Sequence, residues 1–168
     1  MIKIIMKTFF KTISIILFLS TSSIAKDSKW NFYTGMYDFS DHGFRSNMFG
    51  VEHINENLYR DSFIGELHPI TGVMVNTDYA IYVYTGFKTT YKFGSLNFSP
   101  SFAPGLYGEG DDSKDLGHVI NFKTELQISA NISANTQIGF SYNHISNANL
   151  GENNPGVNSY MFNIIKTY

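Results

Sequence analysis

The stretch "HVINFKTELQISA", His118–Ala130, alternates with a period of two. Ile120, Phe122, Leu126, Ile128 and Ala130 fall on one face, Asn121, Lys123, Glu125, Gln127 and Ser129 on the other, and Thr124 alone blurs the apolar side. Successive side chains of a β-strand point to opposite faces, so the pattern predicts a strand with one apolar and one polar face.

The alternation extends in both directions. In "LNFSPSFAPGLY", Leu96, Phe98, Phe102 and Leu106 share one parity, and Asn97, Ser99, Ser101 and Gly105 the other. In "FIGELHPITGVMV", Phe63, Leu67, Val73 and Val75 oppose Glu66, His68 and Gly72. Eight such segments are predicted, at about 30–40, 46–56, 62–76, 79–92, 96–108, 117–130, 136–148 and 157–168. Segments of ten or more residues exceed the five or six usual in soluble sheets and match the 9–11 or so that span a bilayer. Rows of Phe, Tyr, Ile and Leu opposite Glu, Lys, Gln and Asn fit an apolar exterior around a polar interior. The expected fold is all-β, an eight-stranded antiparallel transmembrane β-barrel. A soluble secreted barrel or sandwich is the competing architecture.

The N-terminus supports export. Lysines at 3, 7 and 11 precede the apolar run Ile13–Leu19 and small residues ending at Ala25, the layout of a secretory signal peptide. The expected division is a signal peptide over 1–25 and a barrel over 26–168, placed in the outer membrane of a Gram-negative cell. The 168-residue chain has no cysteine, which excludes a disulfide scaffold. Removing three lysines and no acid takes the formal charge from −2 to −5, which argues against a nucleic-acid partner. With the N-terminus in the periplasm, the turns near "NENLYRD", "KFGS" and "NISANT" lie on the periplasmic side. The loops near "SDHGFRS", "NTD", "YGEGDDSKDLGH" and "NANLGENNPG" face outward.

The seventh segment, "TQIGFSYNHISNAN", places Ile138, Phe140 and Tyr142 on the lipid-facing parity, and His144 and Ser146 continue it. On the eighth, Tyr160, Phe162 and Ile164 face outward, and Asn158 shares their parity. The two segments are expected to pair as a hairpin that brings Asn158 near His144 and Ser146. A histidine and a serine at i and i+2 lie about 6.6 Å apart at Cα on one face, within reach of the contact by which histidine acts as general base and serine as nucleophile. An interfacial girdle, where both merely tolerate headgroups, is the alternative.

"SYNHISNANLGENNPGVN", with "PSFAPGLYGEGDDSKDLGHVINF" upstream, resembles the PagL family of lipid A 3-O-deacylases. The likeness runs from about Gly50 to Tyr168, and its most specific part is the H-x-S-N-A block followed by N-P-G. The resemblance implies an eight-stranded outer-membrane barrel that hydrolyses the 3-O-linked acyl ester of lipid A with a serine nucleophile, His144 as base, Ser146 as nucleophile and Asn147 at the oxyanion site. It implies no cofactor or metal, lipid A or lipopolysaccharide as substrate, and the outer membrane as surroundings; a homodimer stays open. Two positions depart from the family pattern. Asn158 stands where an acidic residue is common two positions after the Asn-Pro-Gly, and Asn121 where a second glutamate is common, at a position whose parity points inside the barrel.

An asparagine carbonyl can still hold an imidazole tautomer but supplies no full charge, and the analogous Asp-to-Asn change in a serine-protease triad costs about 10⁴ in rate, partly through a wrong tautomer. Three outcomes therefore stand: a slower deacylase using Asn158, a deacylase recruiting Glu152, or a small barrel without catalysis that serves envelope structure or surface interaction. The other histidines show no ligand spacing, and "GEGDDSKD" lacks the ligand pattern of a calcium loop. Arg45 and Lys114, on outward loops, are candidates to meet lipid A phosphates.

Overall fold

Period-two alternation yields a stable strand in lipid only if every backbone rung finds a partner. The computed structural model describes residues 28–168, and the expected signal peptide lies outside them. The strands are β1 (Ser28–Tyr37), β2 (Ser46–Asn55), β3 (Arg60–Ser62), β4 (Gly65–Asn76), β5 (Ile81–Lys88), β6 (Tyr91–Phe93), β7 (Leu96–Gly108), β8 (Ile120–Ser133), β9 (Thr136–Ser146) and β10 (Val157–Thr167). β3 and β6 are three-residue pieces, and the other eight form the wall. Each wall strand pairs antiparallel with the next, and β1 pairs with β10 in the register Phe32↔Ile164. The sheet closes into an eight-stranded antiparallel barrel with no open edge.

Burial runs opposite to that of a soluble protein. Along β8, Asn121, Lys123, Glu125, Gln127 and Ser129 are buried, while Leu126 and Ile128 are 49% and 53% exposed. Phe49, Phe140 and Leu106 are likewise exposed on their own strands. The side chains that water would reject point outward, which makes the outer wall a lipid-facing surface. Among the described residues there is no helix.

The lumen holds a neutral ion cluster. Lys88 Nζ lies 2.5 Å from Glu52 and 3.7 Å from Glu125, and Lys123 Nζ lies 3.0 Å from Glu125 and 3.4 Å from Glu52. The Tyr84 hydroxyl donates to Glu52 at 3.0 Å, and the Tyr84 ring lies 3.9 Å from Lys123 Nζ. Two cations face two anions, so no charge is buried without a partner. Glycine makes room for the tyrosines: a Cβ on Gly72 would come within 2.4 Å of the Tyr84 ring, and one on Gly50 within 2.1 Å of Tyr33.

Three local expectations are corrected. The segment predicted to begin at 62 instead turns tightly there: Ser62 Oγ donates to Gly65 O, Gly65 has φ +99°, and Phe63 is fully exposed at the hairpin tip rather than on the wall. The segment 79–92 is interrupted between β5 and β6, and its pairing with β7 also lapses at Thr85 and Gly86. Continuing the register, Thr85 faces Pro104 and Thr89, in the break between β5 and β6, faces Pro100, and neither proline has an N–H to give to a rung. The lumen is also less polar than parity suggests, because Tyr37, Met48, Leu116, Ile145, Val157 and Met161 fill its loop end.

Glu52→Ala leaves two buried lysines facing one carboxylate. Urea unfolding from lipid vesicles is expected to show a loss of about 3–5 kcal/mol.

Candidate active site

The loop ends of β9 and β10 carry the site. In their register Asn158 is directly opposed to His144 and Tyr160 to Tyr142, so one outward patch holds all four, with Ser146 two positions further along β9. On its other side Ser146 faces Phe122 of β8. That phenylalanine stacks on Phe102, ring centroids 6.0 Å apart, and Phe102 packs on Phe87 at 5.8 Å. An apolar row thus leads away from Ser146 along the wall.

His144 Nδ1 lies 2.9 Å from Asn158 Oδ1. The same oxygen accepts from the Tyr142 hydroxyl at 2.6 Å. Asn158 Nδ2 donates to Ser40 Oγ at 3.0 Å, and the Ser40 hydroxyl donates to Asp38 Oδ1 at 3.0 Å. The main chain joins the same elements: Phe39 N–H donates to Asn158 O at 3.0 Å and Asn158 N–H to Asp38 Oδ1 at 3.4 Å. With Nδ1 facing a carbonyl oxygen, the imidazole carries its proton there, and Nε2 keeps the lone pair a general base needs. Among the described residues no hydrogen bond yet joins Ser146 Oγ to His144; such contacts commonly tighten only with substrate present.

The loops wrap this patch without covering it. Gly156, at φ +61°, lies so close that a Cβ there would come within 2.9 Å of His144 Cε1, so glycine is what lets the β9–β10 loop pass the ring. Directly after Ser146, Leu150 N–H bonds back to Asn147 O at 3.0 Å. Ala148 and Asn149 between them have φ 52° and 62°, the positive values a type I′ turn requires at both central positions. Left-handed backbone at an alanine is strained and persists only where the surroundings fix it.

Asn147 provides that fixing. Fully buried, it donates through Nδ2 to Leu116 O and to Asn153 O, both at 2.7 Å, and its own N–H bonds Asn154 Oδ1 at 3.0 Å. Both amide hydrogens expected to face an oxyanion are therefore engaged in tying the β7–β8 loop to the β9–β10 loop. The two loops touch at glycine backbone: a Cβ on Gly117 would come within 2.2 Å of Asn153 O, and one on Gly151 within 2.2 Å of Gly117 O.

Glu152 stays exposed and, among the described residues, makes no contact with His144. Asn121 is buried in the lumen, where its Nδ2 donates to His118 O at 2.6 Å, away from the outer patch. Lys114 is not a free loop cation: it pairs with Asp38 at 2.5 Å and Asp41 at 3.1 Å. Arg45 Nε donates to Phe39 O at 2.7 Å. Among the described residues no group of three or more His, Asp or Glu is placed to hold a metal ion.

Sequence reasoning missed Asp38 and Ser40, and it singled out Lys114 for lipid A phosphates rather than for its pairing with Asp38 and Asp41. Tyr142 was legible, because it shares the parity of His144, but a loop serine and a loop aspartate some 120 positions before Asn158 leave no periodic trace.

A closed barrel with an apolar outer wall, carrying a hydrogen-bonded histidine–asparagine pair and a serine at its loop-end rim, is a transmembrane β-barrel with a polar patch on its outer face. The lipid A 3-O-deacylase (PagL) family profile matches residues 27–166, and the chain belongs to that family. Among solved structures, the chain is similar to a crystal structure of the outer membrane enzyme PagL, with TM-score 0.61 and 15% identity over 82% of this chain and 98% of that one. A de novo designed transmembrane β-barrel is similar at TM-score 0.52, with 11% identity over 87% of this chain and 98% of the design. The Yersinia pestis outer membrane protein Ail gives 0.51, with 9% identity over 86% and 100%. At these identities the likeness is one of fold. No curated protein matches the chain by sequence.

The loop tie carries its own pH dependence. The Lys114 hydrogen bond, with one from Gly43 N–H, holds the Asp41 carboxyl below its usual range. Partial burial opposes the Lys114 charge, but hydrogen bonds from Lys114 to Asp38 and Asp41 outweigh it and raise the lysine above its usual value. A depressed carboxyl contributes fully above its unfolded pKa and loses that contribution as pH falls through the folded one; a raised lysine loses its contribution as pH rises. The tie is therefore whole between roughly pH 4 and 10. Pepsin cleavage within residues 109–119 is expected to accelerate below about pH 4, and Lys114→Met to abolish that acid step; an unchanged step in the variant would exclude the tie as its cause.

Proposed function

We propose that this chain removes the 3-O-linked acyl group of lipid A in the outer leaflet of a Gram-negative outer membrane, by a serine hydrolase mechanism. Ser146 Oγ attacks the ester carbonyl as His144 Nε2 takes its proton. The tetrahedral intermediate collapses, and the freed 3-hydroxyl of the lipid leaves with that proton. Water, deprotonated by the same nitrogen, then releases the fatty acid from Ser146. The observation that carries this reading is the His144–Asn158 hydrogen bond on the lipid-facing rim, made through Nδ1 and leaving Nε2 free, with Ser146 two positions along the same face of β9. Polar side chains against lipid carry a desolvation penalty, which the Asn158 bond offsets for only one of the two ring nitrogens of His144.

Asn147 serves the oxyanion side indirectly in this scheme. Its amide hydrogens hold Leu116 O and Asn153 O, so its role is to fix the main chain of the Asn147–Leu150 turn next to the nucleophile. Side chains pack the middle and loop end of the lumen, so substrate reaches Ser146 sideways from the leaflet, its acyl chain along Phe122, Phe102 and Phe87.

A barrel without catalysis is the second reading, and the amide at position 158 favours it, since an amide cannot neutralise the imidazolium. Mass spectrometry of lipid A from cells producing the wild type or Ser146→Ala separates the two. The wild type is expected to shed the 3-O-acyl chain and the variant to leave it in place; identical acylation would sink the enzyme reading.

Asn158→Glu is expected to raise the rate roughly tenfold to a hundredfold, less than the full triad effect because the tautomer is already correct. An unchanged rate in detergent-solubilised assays would remove Asn158 from the role of orienting partner.

A further inference from the structure

We propose that Ser40, with its hydroxyl held by Asp38, is the positioning residue that lets Asn158 serve as the partner of His144. The proposal rests on the deacylase reading above and concerns how an amide can stand in for a carboxylate in that site.

A carboxylate presents two equivalent oxygens to an imidazole, whereas an amide presents an acceptor at one end and a donor at the other. The two amide orientations have nearly the same shape and opposite consequences. With Oδ1 toward His144, Nδ1 holds the proton and Nε2 can accept one from Ser146. With Nδ2 toward His144, Nδ1 must be bare, Nε2 holds the proton, and the base is lost. That second arrangement is the wrong-tautomer state that makes the Asp-to-Asn change so damaging in serine proteases.

Tyr142 does not choose between the two, because a hydroxyl can donate to Oδ1 or accept from Nδ2. Ser40 does. Its single proton goes to Asp38 Oδ1 at 3.0 Å, so the side of Oγ facing Asn158 is a lone pair, and only Nδ2 can meet it favourably, also at 3.0 Å. Asp38 is in turn unable to swing away. It is fully buried, Lys114 holds its other oxygen at 2.5 Å, and the Asn158 N–H points at Oδ1 from 3.4 Å. The chain of direction therefore runs from Lys114 through Asp38, Ser40 and Asn158 to His144, and it ends by fixing one imidazole tautomer.

Ser40 is an exposed loop residue, so Ser40→Ala removes the hydroxyl without disturbing the lumen. Nitrogen-15 NMR of histidine in the full barrel, with the His144 signals assigned by comparison with His144→Gln, reads the tautomer directly. The wild type is expected to show the proton on Nδ1, and Ser40→Ala to shift population to Nε2. On lipid A, Ser40→Ala is expected to lower kcat roughly tenfold or more with KM little changed. In an Asn158→Asp background the two ends of residue 158 become equivalent, so adding Ser40→Ala is expected to leave the Nδ1 proton in place and kcat no lower than in Asn158→Asp alone. An unchanged tautomer in Ser40→Ala overturns the proposal. So does an equal fall in both backgrounds, which would mean that Ser40 acts only through loop structure. If the tautomer shifts as expected but wild-type protein leaves lipid A intact, the positioning role stands and the deacylase reading fails.

Discussion

A backbone amide facing hydrocarbon has no water to bond, so the rungs that join β1 to β10 decide whether the other rungs can persist. Closure through the register running from Lys29↔Thr167 to Met36↔Tyr160 leaves each wall strand with two neighbours. Eight strands enclose a lumen just wide enough for side chains, and that lumen is filled by the Glu52, Lys88, Lys123 and Glu125 cluster and the tyrosines packed on glycine. Chemistry is thereby displaced outward. With its middle and loop end packed, the lumen gives no passage to the patch of His144 and Asn158, which lies on the outer wall.

Much of this was legible in the sequence because lipid imposes a two-residue period with a strict sign. One residue of register slip would send Lys123 and Glu125 into the bilayer, so the parity of β8 admits one solution. The same rule placed His144, Ser146 and Asn158 on one outer face before any pairing was known. Parity fails where the chain leaves the wall. Phe63 has the parity of an outward residue yet sits at a hairpin tip, because Gly65 turns the chain. Pro104 and Pro100 keep their outward parity, yet Pro104 faces a lapsed rung on β5 and Pro100 faces the break after it. The apolar loop end of the lumen escaped notice because Ile145, Val157 and Met161 are apolar residues on the parity expected to be polar.

Residues that tune the site lie beyond the reach of periodicity for a different reason. Asp38 and Ser40 belong to the loop after the first strand and Asn158 to the last strand, and closure of the barrel makes them neighbours. Their relation is a property of the closed ring. Asn147 shows the converse: its sequence context pointed to an oxyanion donor, but the loops converge so tightly at Gly117 and Gly151 that both amide hydrogens are drawn into holding them.

These contacts make the loops part of the site's rigidity. Ala148 and Asn149 hold left-handed backbone next to Ser146, an arrangement that a free loop would relax at a gain of about 1–3 kcal/mol per strained residue. Here relaxation would break the Asn147 bonds to Leu116 O and Asn153 O, and with them the link to the loop that carries Lys114. Lys114 also grips Asp38, on the opposite flank of the patch. The turn behind Ser146 and the acceptor behind Asn158 therefore belong to one connected set of loop contacts. A barrel wall is stiff along its strands and offers little control at its rim; interlocking three outward loops supplies that control. The order that holds His144, Ser146 and Asn158 in register is thus built where the lipid-imposed alternation ends.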